Sequence, residues 1–82
     1  MTRLGEFLAK KSINRASVSR RIGISPARLS ELSNKESARL TAEELYLTAL
    51  AIGVDPGELL EYVCKGLELK PDEPAADDNN KA

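Results

Sequence analysis

Side chains that could form contacts with the edges of nucleic-acid bases are concentrated in one short segment. They are Ser25, Ala27, Arg28, Ser30, Glu31 and Asn34. An arginine can donate two parallel hydrogen bonds to guanine, a glutamate can accept from the amino group of cytosine, and an alanine methyl can meet the methyl of thymine. On this ground Arg28 is the best candidate for a bidentate guanine contact. Pro26 has no hydrogen to donate from its backbone nitrogen.

These residues surround two leucines, Leu29 and Leu32, whose spacing of three predicts a helix with one buried side. The opposite side would then be polar and built of small residues. A DNA major groove, about 12 Å wide, admits one such helix. The segment 26–33 is therefore predicted to be a helix presented outward for base reading.

Basic and amide side chains flank this predicted helix and could bind phosphate oxygens. They are Asn14, Arg15, Arg20, Asn34, Lys35 and Arg39. Phosphate contacts place a protein on a duplex without reading its sequence. A simpler interpretation stays open for several of these residues, because arginines on an ordinary solvated helix face look the same in sequence. For Glu31, an alternative to base reading is an ion pair with Arg28 along the helix.

A helix-turn-helix is predicted from the capping residues around the segment. Asn14 is a good N-cap for a first helix, and Gly23 stands where that helix would end in a left-handed residue. Ser25 then caps the second helix, with Pro26 at its first position. Capping alone explains Ser25 and Pro26, so base reading would be a second role for them.

Three further helices are predicted, which makes the fold all-α. Residues 3–11 place apolar side chains at the spacing of one helix face. The residues from Thr41 to Glu44 form a capping box, and the helix that follows ends at Gly53. This fourth helix is apolar around much of its circumference, so we expect it to be central and the most buried.

The fifth predicted helix opens with Asp55 as cap and Pro56 at its first position, and Gly66 is expected to stop it. Its apolar stripe is wider than one packing face needs, which predicts a dimer interface. The residues proposed for that interface are Leu60, Val63, Cys64 and Leu67. Residues 1–69 are expected to form the domain and residues 70–82 a disordered acidic tail.

Charge is distributed unevenly along the 82 residues, although the net charge is only −1. Residues 1–39 carry nine Lys and Arg against three acids, whereas residues 40–82 carry three against ten. A basic front half and an acidic back half are typical of a polyanion-binding protein whose other side does something else.

Several function classes are disfavoured by what the sequence lacks. It contains no histidine and a single cysteine, Cys64, so we expect no zinc site, no cofactor and no enzymatic activity. Cys64 is read as a small buried apolar residue rather than a redox sensor. No apolar run is long enough for a membrane span, and the N-terminus lacks the apolar core of a signal peptide. A cytoplasmic protein is therefore expected.

The sequence resembles the phage-repressor/Cro-type (Xre) family of DNA-binding domains from Leu4 to about Leu60. Three segments carry the resemblance. They are INRASVSRRIGIS for helix 2 and the turn, RLSELSN for helix 3, and ALAIGVDPGELL for the last two helices. The resemblance implies a five-helix lambda-repressor-like domain in which helices 2 and 3 are the helix-turn-helix. By resemblance, the base-reading positions are Ser25, Pro26, Ala27 and Arg28 and, one turn later, Ser30 and Glu31, without the glutamines of the better-known phage repressors. The resemblance also implies phosphate contacts at Arg15, where the family commonly has a glutamine, and at Asn34 and Lys35.

That resemblance implies a transcriptional regulator, expected to be a repressor, that binds double-stranded DNA as a homodimer on an inverted repeat. Two alternatives stay open. One is an antitoxin-type regulator that binds both its operator and a toxin. The other is a protein-interaction module of the same fold that does not bind DNA. The basic residues around helix 3 argue against this module, because it would have no reason to keep them.

Overall fold

The computed structural model describes residues 1–72, which form five α-helices and, over that range, no strand. The helices are α1 (Arg3–Lys10), α2 (Arg15–Ile22), α3 (Pro26–Asn34), α4 (Ala42–Ile52) and α5 (Pro56–Val63). The predicted all-α class and the order of the five helices are confirmed.

The predicted caps set the starts of four helices. The side chains of Asn14, Ser25, Thr41 and Asp55 each accept a hydrogen bond from the amide three residues later. Thr2 does the same for α1, a cap that the sequence analysis did not identify. Gly23 and Gly53 end α2 and α4 in the left-handed conformation, with φ of 82° and 77°. Local capping chemistry therefore accounts for most helix boundaries.

One apolar core lies between the five helices, and every helix contributes to it. Its buried members are Leu4, Phe7, Leu8, Val18, Leu29, Leu32, Leu45, Ala49 and Leu59. Helix α1 packs on α3 and α5, α2 packs on α3 and α4, and α4 packs on α5. The ring of Tyr62 meets the ring of Phe7 edge to face, with centroids 5.1 Å apart. These contacts fix both helices of the predicted helix-turn-helix against the rest of the domain.

The start of α1 is joined closely to the end of α3. The amide of Thr2 donates to the carbonyl oxygen of Ser33 at 2.9 Å, and its hydroxyl donates to the carbonyl oxygen of Leu32 at 2.6 Å. Gly5 is buried at the same place, where a Cβ atom would overlap the Ser33 carbonyl. A glycine is needed because only a bare Cα lets the two backbones approach this closely.

The expectation that α4 is the most buried helix is wrong. Leu45, Thr48 and Ala49 are buried, but Tyr46, Leu47 and Leu50 on the other side are 53%, 41% and 52% exposed. Helix α4 has eleven residues and packs on α2 and α5, which cover one of its sides. Its apolar residues therefore lie on two faces, one buried in the core and one exposed to solvent.

Two smaller boundaries differ from the prediction. Helix α1 ends at Lys10 rather than at residue 11, and Ser12 then adopts a positive φ of 56°. Helix α5 ends at Val63, with Cys64 as its C-cap and Gly66 at a φ of 94°. The amide of Leu67 donates to the carbonyl of Cys64 in a tight turn. Cys64 and Leu67 thus do not extend a helical stripe, because the chain turns before they could.

The predicted domain of residues 1–69 lies within the described range. The expected tail, residues 70–82, falls almost entirely outside it, since residues 73–82 are not described. None of the helices found between residues 1 and 72 has the length and apolar character needed to cross a membrane.

Candidate nucleic-acid interface

The helix-turn-helix is built from α2, a three-residue turn and α3. At the turn, the amides of Gly23 and Ile24 both donate to the carbonyl oxygen of Ser19, at 3.0 and 3.1 Å. The hydroxyl oxygen of Ser25 then accepts from the amide of Arg28 at 3.0 Å. These local bonds satisfy two amides of the turn and one amide in the first turn of α3, and so support the turn between the two helices.

Helix α3 buries one side and leaves the other in solvent. Leu29, Leu32 and Ser33 are buried, and the hydroxyl of Ser33 donates to the carbonyl of Leu29. Five of the six predicted base-reading residues are exposed, namely Ser25, Pro26, Ala27, Ser30 and Glu31. The outward side of α3 therefore carries short side chains and a single carboxylate, with Arg28 at its edge.

Two pairs of side chains on this outward side interact along the helix. The amide nitrogen of Asn34 donates to the hydroxyl oxygen of Ser30 at 3.3 Å. The Lys35 ammonium lies 3.9 Å from a carboxylate oxygen of Glu31. Exposed pairs of this kind contribute little to stability, so these side chains remain free to exchange partners.

Arg28 differs from the other predicted base-reading residues because its guanidinium is already paired. Its Nε donates to Oε2 of Glu44 at 3.0 Å, and its Nη2 donates to Oε1 of Glu44 at 3.1 Å. The same Nη2 donates to the carbonyl oxygen of Arg39 at 2.7 Å. The Nε and Nη2 donors of Arg28 are thus occupied in this structure, and its contact with guanine stays a prediction.

The pairing also shifts the ionisation of both groups. The hydrogen bond from Arg28 lowers the pKa of Glu44 below its ordinary value, and the hydrogen bonds from Thr41 act in the same direction. The bond to Glu44 raises the pKa of Arg28 in turn. The Glu44 side chain is 16% exposed and the Arg28 side chain 32%, so the pair is only partly screened by water.

Glu31 stands near the same guanidinium. Its Oε1 lies 3.9 Å from Nη1 of Arg28, the nitrogen that does not bind Glu44. The ion pair that the sequence offered as an alternative for Glu31 is therefore present, but it is long and half exposed. Sequence reasoning identified Glu44 as part of a capping box and missed it as the partner of Arg28, because sixteen residues separate the two.

Arg15 lies at the first position of α2, beside the outward side of α3. Together with Ala16 it lines a surface crevice whose other wall is Pro26, Leu29 and Ser30. Its Nη2 makes a long hydrogen bond of 3.5 Å to the carbonyl of Gly5. The start of α2 and the outward side of α3 therefore share one surface, the arrangement that a phosphate contact beside a groove-bound helix would require.

The remaining predicted phosphate-binding residues are exposed. They are Asn14, Arg20, Asn34, Lys35 and Arg39. Asn14 uses its side-chain oxygen to cap α2 at the amide of Ser17, which leaves its amide nitrogen for another acceptor. The backbone carbonyl of Arg39 holds Arg28, while its own side chain extends into solvent.

The four residues predicted for the dimer interface differ in exposure. Leu60 is 48% exposed on α5, whereas Val63 packs against the core. Val63, Cys64 and Leu67 line a groove shared with the start of α1 and the loop before α4. Across residues 1–72, no three His, Cys, Asp or Glu side chains come together as metal ligands would.

A helix-turn-helix with an exposed second helix, inside five helices of this order, defines a class of DNA-binding domains. A family model for the Cro/C1-type HTH DNA-binding domain matches residues 3–65, and the chain belongs to that family. The suspected phage-repressor/Cro-type resemblance is thereby confirmed. Comparison with curated proteins and with solved structures found no match to this chain.

Proposed function

We propose that this protein is a transcriptional repressor that binds a specific double-stranded DNA sequence by placing α3 in the major groove. The observation that carries the proposal is the outward side of α3, which is exposed and built mainly of short polar side chains, on a helix whose other side is buried through Leu29 and Leu32. A repressor would act by occupying its operator and so excluding polymerase.

Base reading is assigned to Ser25, Ala27, Ser30 and Glu31. The serine hydroxyls can donate or accept, the Ala27 methyl suits a thymine methyl, and Glu31 can accept from cytosine. Pro26 shapes the start of the helix. A bidentate guanine contact by Arg28 would require its bonded donors to release Glu44 or the Arg39 carbonyl, so we assign Arg28 the role of holding α3 in position.

Phosphate binding is assigned to the exposed basic and amide groups on both sides of α3. Arg15 lies beside the start of α3, while Lys35 and Arg39 follow its end. Asn14, Arg20 and Asn34 complete the set. These contacts supply affinity that depends on salt, while the outward side of α3 supplies the sequence preference.

We further propose that the repressor acts as a homodimer on an inverted repeat. Two identical helix-turn-helix units related by a two-fold axis bind half-sites separated by about 34 Å, or one turn of DNA. Dimerisation also stabilises a domain this small, since association favours the folded state.

Selection of bound duplexes from a random pool tests the proposal directly. The expected result is an enriched inverted repeat for the wild-type protein. A Ser30→Ala/Glu31→Ala variant is the informative comparison, because both side chains point into solvent and their loss leaves the core intact. We expect it to keep binding duplex DNA and to change or lose preference at the matching positions. Failure of the wild-type protein to shift any duplex at low ionic strength would refute the proposed function.

A protein-interaction module without DNA binding is the second candidate, and the exposed leucines of α4 favour it. An antitoxin would combine both activities, with a toxin as an additional partner. The basic residues around α3 favour DNA binding, because a surface used only for protein contacts does not need them.

A further inference from the structure

The outward face of α4 is the largest run of exposed apolar side chains on any helix of the described chain. Tyr46, Leu47 and Leu50 are each exposed by two-fifths or more and follow one another on one side of the helix. Ala42 completes that side, and Glu43 is its only polar member. A solvent-facing helix surface of this composition is typical of a protein contact site. We call these five residues the α4 face.

Opposite charges stand at the two ends of the α4 face. Ala42, Glu43, Tyr46 and Leu47 line a depression at the N-terminal end. At the other end, Leu47 and Leu50 line a second depression together with Arg21, Ile22 and Ala51. Leu47 belongs to both depressions and so lies near the middle. The surface therefore has the carboxylate of Glu43 at one end and the guanidinium of Arg21 at the other, with leucine side chains between them.

Both charged groups are available for a partner. Glu43 forms no ion pair within residues 1–72, and neither does Arg21. Arg21 is positioned by one hydrogen bond, from its Nη1 to the carbonyl oxygen of Ala51 at 2.9 Å. This bond fixes the guanidinium at the C-terminal end of α4, where its other nitrogens remain free to donate.

We propose that the α4 face binds the α4 face of a second copy of this chain, with the two helices antiparallel about an axis near Leu47. A two-fold axis places a surface against itself, so each end meets the opposite end of the partner. Glu43 of one copy would then lie near Arg21 of the other. The two-fold axis generates this pair at both ends of the interface, and the leucines lie between the two pairs. This proposal deepens the homodimer part of the proposed function by naming the surface.

The surface expected from the sequence, around α5, is less suited to self-association. Leu60 is the one large apolar side chain of α5 that is extensively exposed, and Val63 is committed to the core. The α5 sequence PGELLEYV carries two glutamates and no basic residue. Two copies that met through α5 would bring like charges together, which disfavours the contact.

Sedimentation velocity of the full chain over a wide concentration range tests the proposal. The wild-type protein is expected to be a dimer, and Leu47→Glu is expected to raise the dimer dissociation constant by about tenfold or more, because two carboxylates would meet near the axis. Leu60→Glu is the matched control on α5 and should leave the dimer intact. Circular dichroism of both variants checks that the exposed substitutions leave the fold unchanged.

Charge reversal tests the orientation of the two helices. Glu43→Arg and Arg21→Glu should each weaken the dimer, and the double variant should restore it, since the cross-axis pairs are rebuilt with opposite sign. In addition, Leu47→Cys in a Cys64→Ser background should form a disulfide-linked dimer on mild oxidation. The corresponding Leu60→Cys variant should not.

A wild-type protein that stays monomeric at every concentration would overturn the proposal, as would a dimer that Leu60→Glu dissociates and Leu47→Glu does not. Binding to a random-sequence duplex at low salt, followed by fluorescence anisotropy, separates this result from the proposed function. A monomer that binds duplex DNA would refute the α4 dimer alone. A dimer that binds no duplex would refute the repressor and leave the dimer standing.

Discussion

Arg28 of α3 and Glu44 of α4 are joined by two hydrogen bonds, from Nε to Oε2 at 3.0 Å and from Nη2 to Oε1 at 3.1 Å. Oε1 of Glu44 also accepts from the amide of Thr41 at 2.9 Å, closing the capping box of α4. One carboxylate therefore caps a helix and holds the proposed reading helix at the same time. The start of α3 is thereby tied to the first turn of α4.

The first prediction concerns stability. Glu44→Gln should lower the free energy of unfolding by about 1–2 kcal/mol, because it weakens a partly buried charged pair that also supports a helix cap. Urea denaturation measures this change in the free energy of unfolding, and a double-mutant cycle with Arg28→Ala isolates the coupling between Arg28 and Glu44. Glu58→Gln is the matched control, since Glu58 is in the first turn of α5 and has no ion pair within residues 1–72. A coupling free energy near zero would contradict this prediction.

The second prediction concerns pH. The pKa of Glu44 is lowered in the folded state, so its contribution to stability is complete above the ordinary glutamate value of 4.5. The contribution disappears as the pH falls through that value and then through the lowered pKa of the folded state. Unfolding measured by urea at neutral and at acid pH should therefore show a smaller difference between wild type and Glu44→Gln in acid. An undiminished difference in acid would show that the carboxylate charge is not responsible.

The third prediction separates positioning from base reading at Arg28. Arg28→Ala should weaken binding to all sequences of a duplex library to a similar extent, and Glu44→Gln should reproduce that pattern, because each releases α3 from α4. A guanine contact would instead cost about 1–3 kcal/mol at one base position and would not respond to Glu44→Gln. Preference lost at a single position in Arg28→Ala alone would restore the base-reading assignment.

The fourth prediction concerns phosphate binding by Arg15. Arg15→Ala should weaken binding evenly on all sequences and reduce the slope of log K against log salt by about one unit. Titrations at several salt concentrations give the slope. Lys65→Ala removes an exposed charge in the turn after α5 and serves as control, with no change of slope expected. An unchanged slope for Arg15→Ala would remove Arg15 from the interface.

The fifth prediction concerns the contact between α1 and α3. Gly5→Ala should lower the free energy of unfolding by about 2–4 kcal/mol, because the added methyl group overlaps the carbonyl oxygen of Ser33 and the two backbones must separate. Thermal and urea unfolding measure it. Arg3→Ala, at an exposed position of the same helix, should change stability by less than about 0.5 kcal/mol. Equal stability of Gly5→Ala and wild type would contradict the close approach.

The sequence alone determined the helices and the helix-turn-helix. Asn14, Ser25, Thr41 and Asp55 cap helices by bonds to amides three residues away, and Gly23 ends one by adopting a conformation open to few other residues. These are interactions between near neighbours in the chain, so their chemistry can be read from the order of residues. The family resemblance rested on the same segments.

The tertiary structure decided what these helices present to one another. The apolar residues of α4 surround the helix, so no periodicity distinguishes the side covered by α2 and α5 from the side in solvent. The sequence likewise made Arg28 the best candidate for a guanine contact, and only the tertiary structure, which brings Glu44 of α4 to its side chain, revealed this partner. Contacts between residues far apart in the chain depend on the relative placement of whole helices, which local spacing does not encode.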